Sequence, residues 1–303
     1  MQVASTVSLT LTSVLISPFV GRMLGDGRGS VLGPQTRDLD DRSFRVGFWR
    51  PSLAGVSDLY DRLGLSYAGS RRPDPRIARL VHAAMGDARS IVNVGAGTGS
   101  YEPGGRQLVA VEPSAAMRAR RPASAAPCVA ASAEALPFDD ASVDLVMGVY
   151  TDFHWSDRAR GVAEMVRVAR DSVVLLTVDS VAAENYWLIR DYFPSGAELF
   201  APLSQLLALL PDDAEVWPVP IPEDCRDGFV QAFWKRPHDL LDPTARSSMA
   251  MFARLDDEEV EIGLGQLASD LRDGSWQHRN HELLHESEAD LGHRLVRWRR
   301  RHL

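Results

Sequence analysis

The chain has 303 residues, which allows one large domain or two small ones. Hydrophobic residues make up 45% of the chain, an ordinary share for a soluble globular protein with a sizeable core. The formal net charge of −8 argues against a nucleic-acid-binding protein with a large basic face. The strongly basic run at residues 297–302 is predicted to be a solvated tail at the end of the chain.

Residues 1–55 lack the pattern of a folded domain. Residues 3–20 are apolar but interrupted by serine, threonine and Pro18, and Arg22 stands where a signal peptide needs small residues. The stretch is also marginal as a membrane span. Three interpretations stay open: a disordered or loosely docked extension, a translated leader upstream of a true start near Val56, or a membrane or export segment. We prefer the first two and expect no stable membrane association.

A helix is predicted to begin at Asp74 and Pro75. Aspartate caps helix N-termini well, and proline suits the first helical position. The pattern that follows predicts an apolar stripe that faces the core, made of Ile77, Leu80, Val81 and Ala84.

The next stretch, residues 90–114, contains two apolar runs that each end in residues suited to a ligand. The first run, 91–94, ends in three glycines at alternate positions: Gly95, Gly97 and Gly99. Glycines let the backbone turn tightly and approach a ligand closely, because they carry no Cβ. The second run, 108–111, ends in Glu112, and a carboxylate there can accept two hydrogen bonds from a ribose diol. The stretch therefore predicts a nucleoside site beyond the ends of two parallel strands.

The connection between these two strands is short. A parallel crossover usually needs a dozen or more residues that are mostly helical, and here Pro103, Gly104 and Gly105 interrupt it. We expect at most one helical turn after Gly99 and then a loop. Downstream, the pattern predicts a short helix over 115–120, strands over 127–130 and from 144 to 148, a helix over 159–169 and a strand over 173–178.

Three motifs together resemble those of class I S-adenosylmethionine-dependent methyltransferases. V-N-V-G-A-G-T-G (92–99) and V-A-V-E-P-S (109–114) resemble the first two motifs, and A-S-A-E-A-L-P-F (131–138) resembles the third region. A dinucleotide site would instead have the spacing G-x-G-x-x-G. The resemblance covers residues 60–179 and is to methyltransferase type 11 domains, including uncharacterised actinobacterial small-molecule methyltransferases. It implies an α/β fold: a Rossmann-like, seven-stranded, mostly parallel sheet with an antiparallel last strand.

The resemblance implies S-adenosylmethionine as cofactor. The residues that it assigns to cofactor binding are Tyr67, Arg72, Gly95, Ala96, Gly97, Gly99, Tyr101, Glu112, Pro113, Ser132, Ala133 and Tyr150. Two positions depart from the family. Asn93 replaces an acid that helps to hold the cofactor's amino group, and Ser132 replaces an acid that contacts the adenine amino group. Neither replacement is charged, so we expect weaker cofactor contacts at both.

Several of these assignments have a structural alternative. Tyr101 and Glu102 would lie beside the cofactor, or would fill the gap left by the missing crossover helix. Tyr67 and Arg72 would reach over the methionine end, or would pack against the edge of the sheet.

The segment after the fourth strand, G-V-Y-T-D-F-H-W (148–155), lies beside the transferring methyl group in the family that the chain resembles. Asp152 and His154 are therefore the candidates for a catalytic general base, since methyl transfer to oxygen or nitrogen often needs one. The alternative is that His154 only orients the loop, because many such enzymes act mainly by aligning nucleophile and methyl group.

Beyond Asp179 the sequence is expected to serve the substrate. Residues 186–210 are predicted as helices, 216–222 as a sixth strand with its exit loop, 224–276 as a mostly helical insertion that acts as a lid, and 292–298 as the final antiparallel strand. His278, His281 and His285 have helical spacing, but no partner carboxylate is placed by the sequence, and we predict no metal site. We divide the chain into an extension, 1–55, and a domain, 56–303, with a cofactor half, 56–180, and a substrate half, 181–303.

The sequence therefore predicts methyl transfer from S-adenosylmethionine to a small molecule, with the acceptor atom and oligomeric state left open. The alternatives are a methyltransferase-fold protein without methyl transfer, such as a binding or regulatory subunit, and a nicotinamide-dependent oxidoreductase. Cys128 and Cys225 have no CxxC or zinc-type spacing, so reduced thiols in a cytoplasmic protein are expected. Nucleic acid is not an expected partner.

Overall fold

The computed structural model describes residues 71–211, 214–247 and 249–301. The predicted extension, 1–55, and Tyr67 lie outside the described residues. Within the described part of the chain, no helix has the length and apolar character to cross a membrane.

A seven-stranded sheet organises the described residues, in the order β3-β2-β1-β4-β5-β9-β6. Its strands are β1 (Ser90–Val94), β2 (Gln107–Val111), β3 (Cys128–Val129), β4 (Val143–Val149), β5 (Ala169–Val178), β6 (Glu215–Pro218) and β9 (His293–Arg299). The first five pair in parallel, and β9 runs antiparallel to both β5 and β6. Two short strands, β7 (Ile221–Pro222) and β8 (Glu288–Ala289), form a separate ribbon. The predicted Rossmann-like architecture with an antiparallel last strand is confirmed.

The α-helices cover the two faces of this sheet and form much of the C-terminal half of the domain. They are α1 (Pro75–Ala84), α2 (Ala115–Ala119), α3 (Arg158–Val168), α4 (Ser180–Ala183), α5 (Trp187–Asp191), α6 (Leu203–Leu207), α7 (Pro243–Arg246), α8 (Asp257–Asp273) and α9 (Ser275–Arg279). Short 3-10 turns cover residues 152–154, 194–199, 230–233, 237–241 and 283–285. The predicted mostly helical insertion between the last two sheet strands is therefore present.

Helix α1 begins as its sequence predicts. The Asp74 carboxylate accepts a hydrogen bond from the Arg76 amide, and Pro75 occupies the first turn. Ile77, Val81 and Ala84 are buried, but Leu80 is 42% exposed, so its predicted place in the apolar stripe is wrong.

The crossover from β1 to β2 contains no helix, in agreement with the prediction of at most one helical turn there. Residues 97–101 form turns, and the strand begins again at Gln107. Tyr101 in this loop has a positive φ of 65° and is 2% exposed. A non-glycine residue in the left-handed region is strained, so surrounding contacts must hold it there.

The sequence predicts that the basic C-terminal run is a solvated tail, and this prediction is wrong. Arg297, Trp298 and Arg299 belong to β9, which lies between β5 and β6. The Trp298 ring is buried, the Arg297 guanidinium pairs with Glu215, and Arg300 donates to the carbonyl oxygens of Val166 and Ala169. The sheet thus uses the basic run as structure.

Candidate active site

The loop after β1 holds the glycines that the sequence assigned to ligand binding. Gly95, Gly97 and Gly99 have φ values of 63°, 51° and 99°. A Cβ on Gly95 would lie 1.8 Å from Thr151 Oγ1, so close packing of two loops requires glycine there. A Cβ on Gly97 would meet nothing within 4 Å, which leaves its backbone open to an approaching ligand.

A cavity of about 360 Å³ lies against this loop, where β1, β2 and β4 end. Its volume falls in the range of roughly 300–1,000 Å³ that is typical of small-molecule sites. Most residues assigned to cofactor binding line it: Gly95, Ala96, Gly97, Tyr101, Glu112, Pro113, Ser132, Ala133 and Tyr150. The cavity therefore lies where open parallel sheets bind their ligands.

Two assigned residues take other positions. Gly99 belongs to the same loop but does not line the cavity. Arg72 is exposed, and its neighbour Arg71 lines the cavity instead. The resemblance assigns Arg72 of this segment to the cofactor, whereas the arginine that lines the cavity is Arg71.

Glu112 is the acid at the end of β2, and the residue is 7% exposed. Oε2 accepts a hydrogen bond of 2.8 Å from the Gly97 amide, and Oε1 accepts one of 2.9 Å from the Ser114 amide. Burial raises the pKa of Glu112, and the two amides oppose that rise. Since each carboxylate oxygen has a second lone pair, both can still accept bonds from ribose hydroxyls.

Asn93, the first departure from the family, is also part of the cavity wall. Its Nδ2 donates 3.2 Å to Glu102 Oε1, and Glu102 is itself paired with Arg121 at 2.7 Å. This donor bond commits the nitrogen end of the amide to Glu102. The Asn93 oxygen is then the end left to accept a bond from a ligand.

The second departure, Ser132, lies near an acid that the sequence analysis did not single out. Glu134 lines the cavity as well, and its Oε1 accepts bonds of 2.7 Å and 2.6 Å from the Ser156 amide and hydroxyl. A carboxylate that lines the cavity is thus present two residues after Ser132.

Tyr101 both lines the cavity and fills the space of the missing helix. Its hydroxyl donates 2.7 Å to Asp227 Oδ2, and Asp227 Oδ1 accepts 2.6 Å from Arg71 Nε. Burial raises the pKa of the Tyr101 phenol, so it stays protonated and donates. The loop between β1 and β2 (residues 95–106, the cofactor loop below) is thereby tied to the C-terminal insertion through a buried ion pair.

The two candidate bases have different surroundings. Asp152 is fully buried and pairs with Arg158 of α3, and it is not among the residues that line the cavity. Its predicted role as general base therefore conflicts with its position. His154 does line the cavity, and burial lowers its pKa to about 3, which keeps the imidazole neutral.

A smaller cavity of about 70 Å³ adjoins the first one. Arg71, Tyr150 and His154 line both cavities. The remaining wall of the small cavity is mainly apolar and comes largely from the C-terminal half, with Phe153, Val178, Phe200, Phe229, Met249 and Met251.

A histidine that sequence reasoning missed lines the small cavity. His293, the first residue of β9, is 1% exposed, and its Nδ1 lies 2.7 Å from the Tyr150 hydroxyl. Tyr150 has a positive φ of 52°, so strained backbone presents its ring here. Burial lowers the pKa of His293 to about 3. Only the antiparallel register, which sets His293 opposite Val178, brings it to the site.

The three histidines with helical spacing do not lie on one helix. Helix α9 ends at Arg279, which separates His278 from His281 and His285. Among the described residues, no group of three or more His, Cys, Asp or Glu side chains is arranged to hold a metal ion.

A glycine loop and an acid at a strand end lie where the parallel strands of the sheet end. Together with the antiparallel strand of that sheet, they define a nucleoside-binding α/β protein. A family model described as a methyltransferase domain matches residues 92–177. A solved structure from Anabaena variabilis ATCC 29413, described as a candidate methyltransferase from an antibiotic biosynthesis pathway, shares 33% identity. The match covers 75% of this chain and 98% of that chain, with a TM-score of 0.68.

More distant structures share the fold alone. The [4+2]-cyclase SpnF is 14% identical, with 83% of this chain and 97% of that chain covered and a TM-score of 0.50. Comparison with curated protein sequences gave no match. The match to the Anabaena protein spans nearly the whole of that relative, so this chain belongs to the class I S-adenosylmethionine-dependent methyltransferases.

The cavity fits the cofactor of this family. The open backbone at Gly97 admits close approach, Glu112 offers acceptors for ribose hydroxyls, and the Asn93 oxygen offers one for an ammonium group. When bound, S-adenosylmethionine supplies an electrophilic methyl group on a sulfonium.

Proposed function

We propose that the protein transfers a methyl group from S-adenosylmethionine to a small molecule held in the adjoining cavity. The observation that carries the proposal is that three side chains, those of Arg71, Tyr150 and His154, line both cavities. A donor in the large cavity and an acceptor in the small one would meet at these side chains. Holding both reactants in line lowers the barrier by about 7–11 kcal/mol in well-oriented systems.

The size and lining of the small cavity support a small acceptor. About 70 Å³ admits a compact group, and its aromatic and methionine walls favour an apolar body. The related Anabaena protein is described as part of an antibiotic biosynthesis pathway, which supports a secondary metabolite as acceptor. We also propose that the C-terminal half serves the acceptor and the N-terminal half of the domain serves the cofactor.

The chain's own residues have distinct tasks in this proposal. The Gly97 backbone and Glu112 bind the nucleoside, and the Asn93 oxygen holds the amino group. The apolar wall excludes water, so that the methyl group meets the acceptor and not solvent. His154 borders both cavities and orients the loop between them, whereas Asp152 anchors that loop to α3 through Arg158.

Calorimetric titration with S-adenosylmethionine, S-adenosylhomocysteine and NAD tests the cofactor. We expect binding of the first two and none of NAD. Glu112→Gln should weaken binding about 10–100-fold, since a charged hydrogen bond is worth about 1.5–3 kcal/mol. The exposed Glu184→Gln is the control and should bind normally. Absence of any heat with S-adenosylmethionine at large excess would refute the proposal, and preference for NAD would favour an oxidoreductase.

A further inference from the structure

Two buried nitrogen atoms beside the small cavity have no hydrogen-bond partner among the described residues. They are Nε2 of Gln231, a residue 2% exposed, and Nε2 of His293, a residue 1% exposed. Both side chains line the small cavity. Buried polar atoms in native proteins are nearly always hydrogen-bonded, so two such atoms at one cavity indicate a ligand that pairs with them.

The charge of the cavity wall limits what this ligand can be. Arg71 is the cation in the wall, and its guanidinium is already paired with Asp227. No aspartate or glutamate is among the described residues that line the small cavity. A cationic amine would meet a positive charge and no compensating acid. A neutral polar group on an apolar body fits the wall better.

The two nitrogen atoms can supply complementary hydrogen bonds. An amide NH₂ such as that of Gln231 donates. The neutral His293 imidazole carries one proton; when Nδ1–H donates to the Tyr150 oxygen, 2.7 Å away, Nε2 holds a lone pair and accepts. One atom that can accept from Gln231 and donate to His293 at once is a hydroxyl oxygen.

We propose that the small cavity binds a compact, mainly apolar molecule through its hydroxyl group, and that Gln231 and His293 hold this hydroxyl for methylation on oxygen. This inference rests on the proposed methyl transfer. Tyr150 acts as a positioning residue, because its contact with Nδ1 sets which His293 nitrogen faces the acceptor.

The chemical step balances with these groups alone. The hydroxyl oxygen forms a bond to the methyl carbon, and the carbon–sulfur bond breaks with its electron pair left on sulfur, which becomes a neutral thioether. The hydroxyl proton passes to His293 Nε2 and then to solvent when the product leaves. Burial disfavours a lasting imidazolium, so the proton does not stay on the ring.

A matched series of one-ring probes tests the binding half of this inference: phenol, aniline and toluene, each titrated into protein saturated with S-adenosylhomocysteine. We expect phenol to bind at least about 10-fold more tightly than toluene, since toluene leaves both nitrogen atoms unpaired. In Gln231→Leu this preference should shrink to a few-fold while toluene binds normally. The exposed His238→Gln is the control and should keep the full preference.

Methyl transfer to a series of substituted phenols and the matching anilines tests the catalytic half. We expect phenols to give methyl ethers and to be preferred over anilines. His293→Asn should lower kcat about 100-fold or more, the usual effect of losing a general base, with an unchanged Kd for S-adenosylmethionine. Tyr150→Phe should lower kcat less than His293→Asn does and should reduce the preference for phenol over toluene, since Tyr150 only positions the ring.

The outcomes separate this inference from the proposed function. A protein that binds S-adenosylmethionine but prefers anilines, or binds toluene as tightly as phenol, contradicts the hydroxyl inference and leaves methyl transfer standing. Full kcat in a folded His293→Asn protein also contradicts it. A protein that binds no S-adenosylmethionine contradicts the proposed function itself.

Discussion

The Gly95 position gives the sharpest test of the cofactor loop, because steric clash and backbone strain act there together. Its φ is 63°, and a Cβ would lie 1.8 Å from Thr151 Oγ1 and 2.8 Å from Thr151 Cβ. Thr151 is 7% exposed and accepts a 3.1 Å bond from Trp155 Nε1, so it has little room to move. Gly95→Ala must therefore displace a packed side chain as well as strain the backbone.

The magnitude follows from two contributions. An alanine in the left-handed region costs about 1–2 kcal/mol. Overpacking a tight contact adds about 1–3 kcal/mol, so we expect Gly95→Ala to lower the free energy of unfolding by about 2–5 kcal/mol. Urea denaturation followed by circular dichroism measures this difference.

Two further variants separate the contributions. Gly97→Ala has a similar φ of 51° but no atom within 4 Å of the new Cβ, so it should cost only the strain, about 1–2 kcal/mol. It should instead weaken binding of S-adenosylmethionine, since the new methyl group enters the cavity. Thr151→Ala removes the 1.8 Å contact and should reduce the cost of Gly95→Ala. Equal destabilisation by both glycine variants, or no relief from Thr151→Ala, would refute the steric argument.

Three other changes have clear directions. Asp227→Asn should destabilise the protein by about 3–5 kcal/mol in thermal unfolding, because it leaves a buried arginine without its charge partner. Asp224→Asn is the matched control: the Asp224 side chain is 73% exposed in its pair with Arg76, so its loss should cost under about 1 kcal/mol. Hydrogen bonds from Arg76 lower the pKa of Asp74 to about 2. The contribution of Asp74 to the free energy of unfolding, about 1–2 kcal/mol after discounting for the exposed arginine, is present above pH 4 and is lost as the pH falls toward 2. Asp74→Asn should therefore flatten this part of the curve of stability against pH. Asn93→Asp, which restores the family's acid, should weaken binding of S-adenosylmethionine, since the new carboxylate would face Glu102 at about 3.2 Å. In calorimetric titration, the double variant Asn93→Asp with Glu102→Gln should bind S-adenosylmethionine better than either single variant. Tighter binding by Asn93→Asp alone would contradict this reasoning.

The sheet and the cofactor loop could be predicted from the sequence because their signals are local. Apolar runs that end in Gly95, Gly97 and Glu112 predict both the strands and the edge where a ligand binds. The short crossover was also predictable, since proline and glycine exclude a helix there regardless of the rest of the fold. These features depend only on residues close together in the chain, so a single sequence is enough to predict them.

The errors arose where distant contacts decide. Asp152 follows β4 as a base would, but its partner Arg158 turns the carboxylate away from the cavity. Arg71 and Arg72 are equivalent in sequence, and only the ion pair with Asp227 distinguishes them. The basic run was misassigned because β9 alternates buried Val296 and Trp298 with arginines that find partners on neighbouring strands and helices. His293 was missed because it reaches the site through pairing with β5.

The missing crossover helix explains several of these contacts at once. A helix there would cover the end of the sheet, and in its absence Tyr101 takes a left-handed conformation and places its ring edge-on to Tyr150, with centroids 6.3 Å apart. The Tyr101 hydroxyl then needs a buried acceptor, which Asp227 supplies from the insertion, and Asp227 in turn binds Arg71. Tyr150 continues the series to His293. The short crossover therefore links the cofactor loop to the wall of the small cavity, so a cofactor and the acceptor that we propose would contact one continuous set of buried side chains.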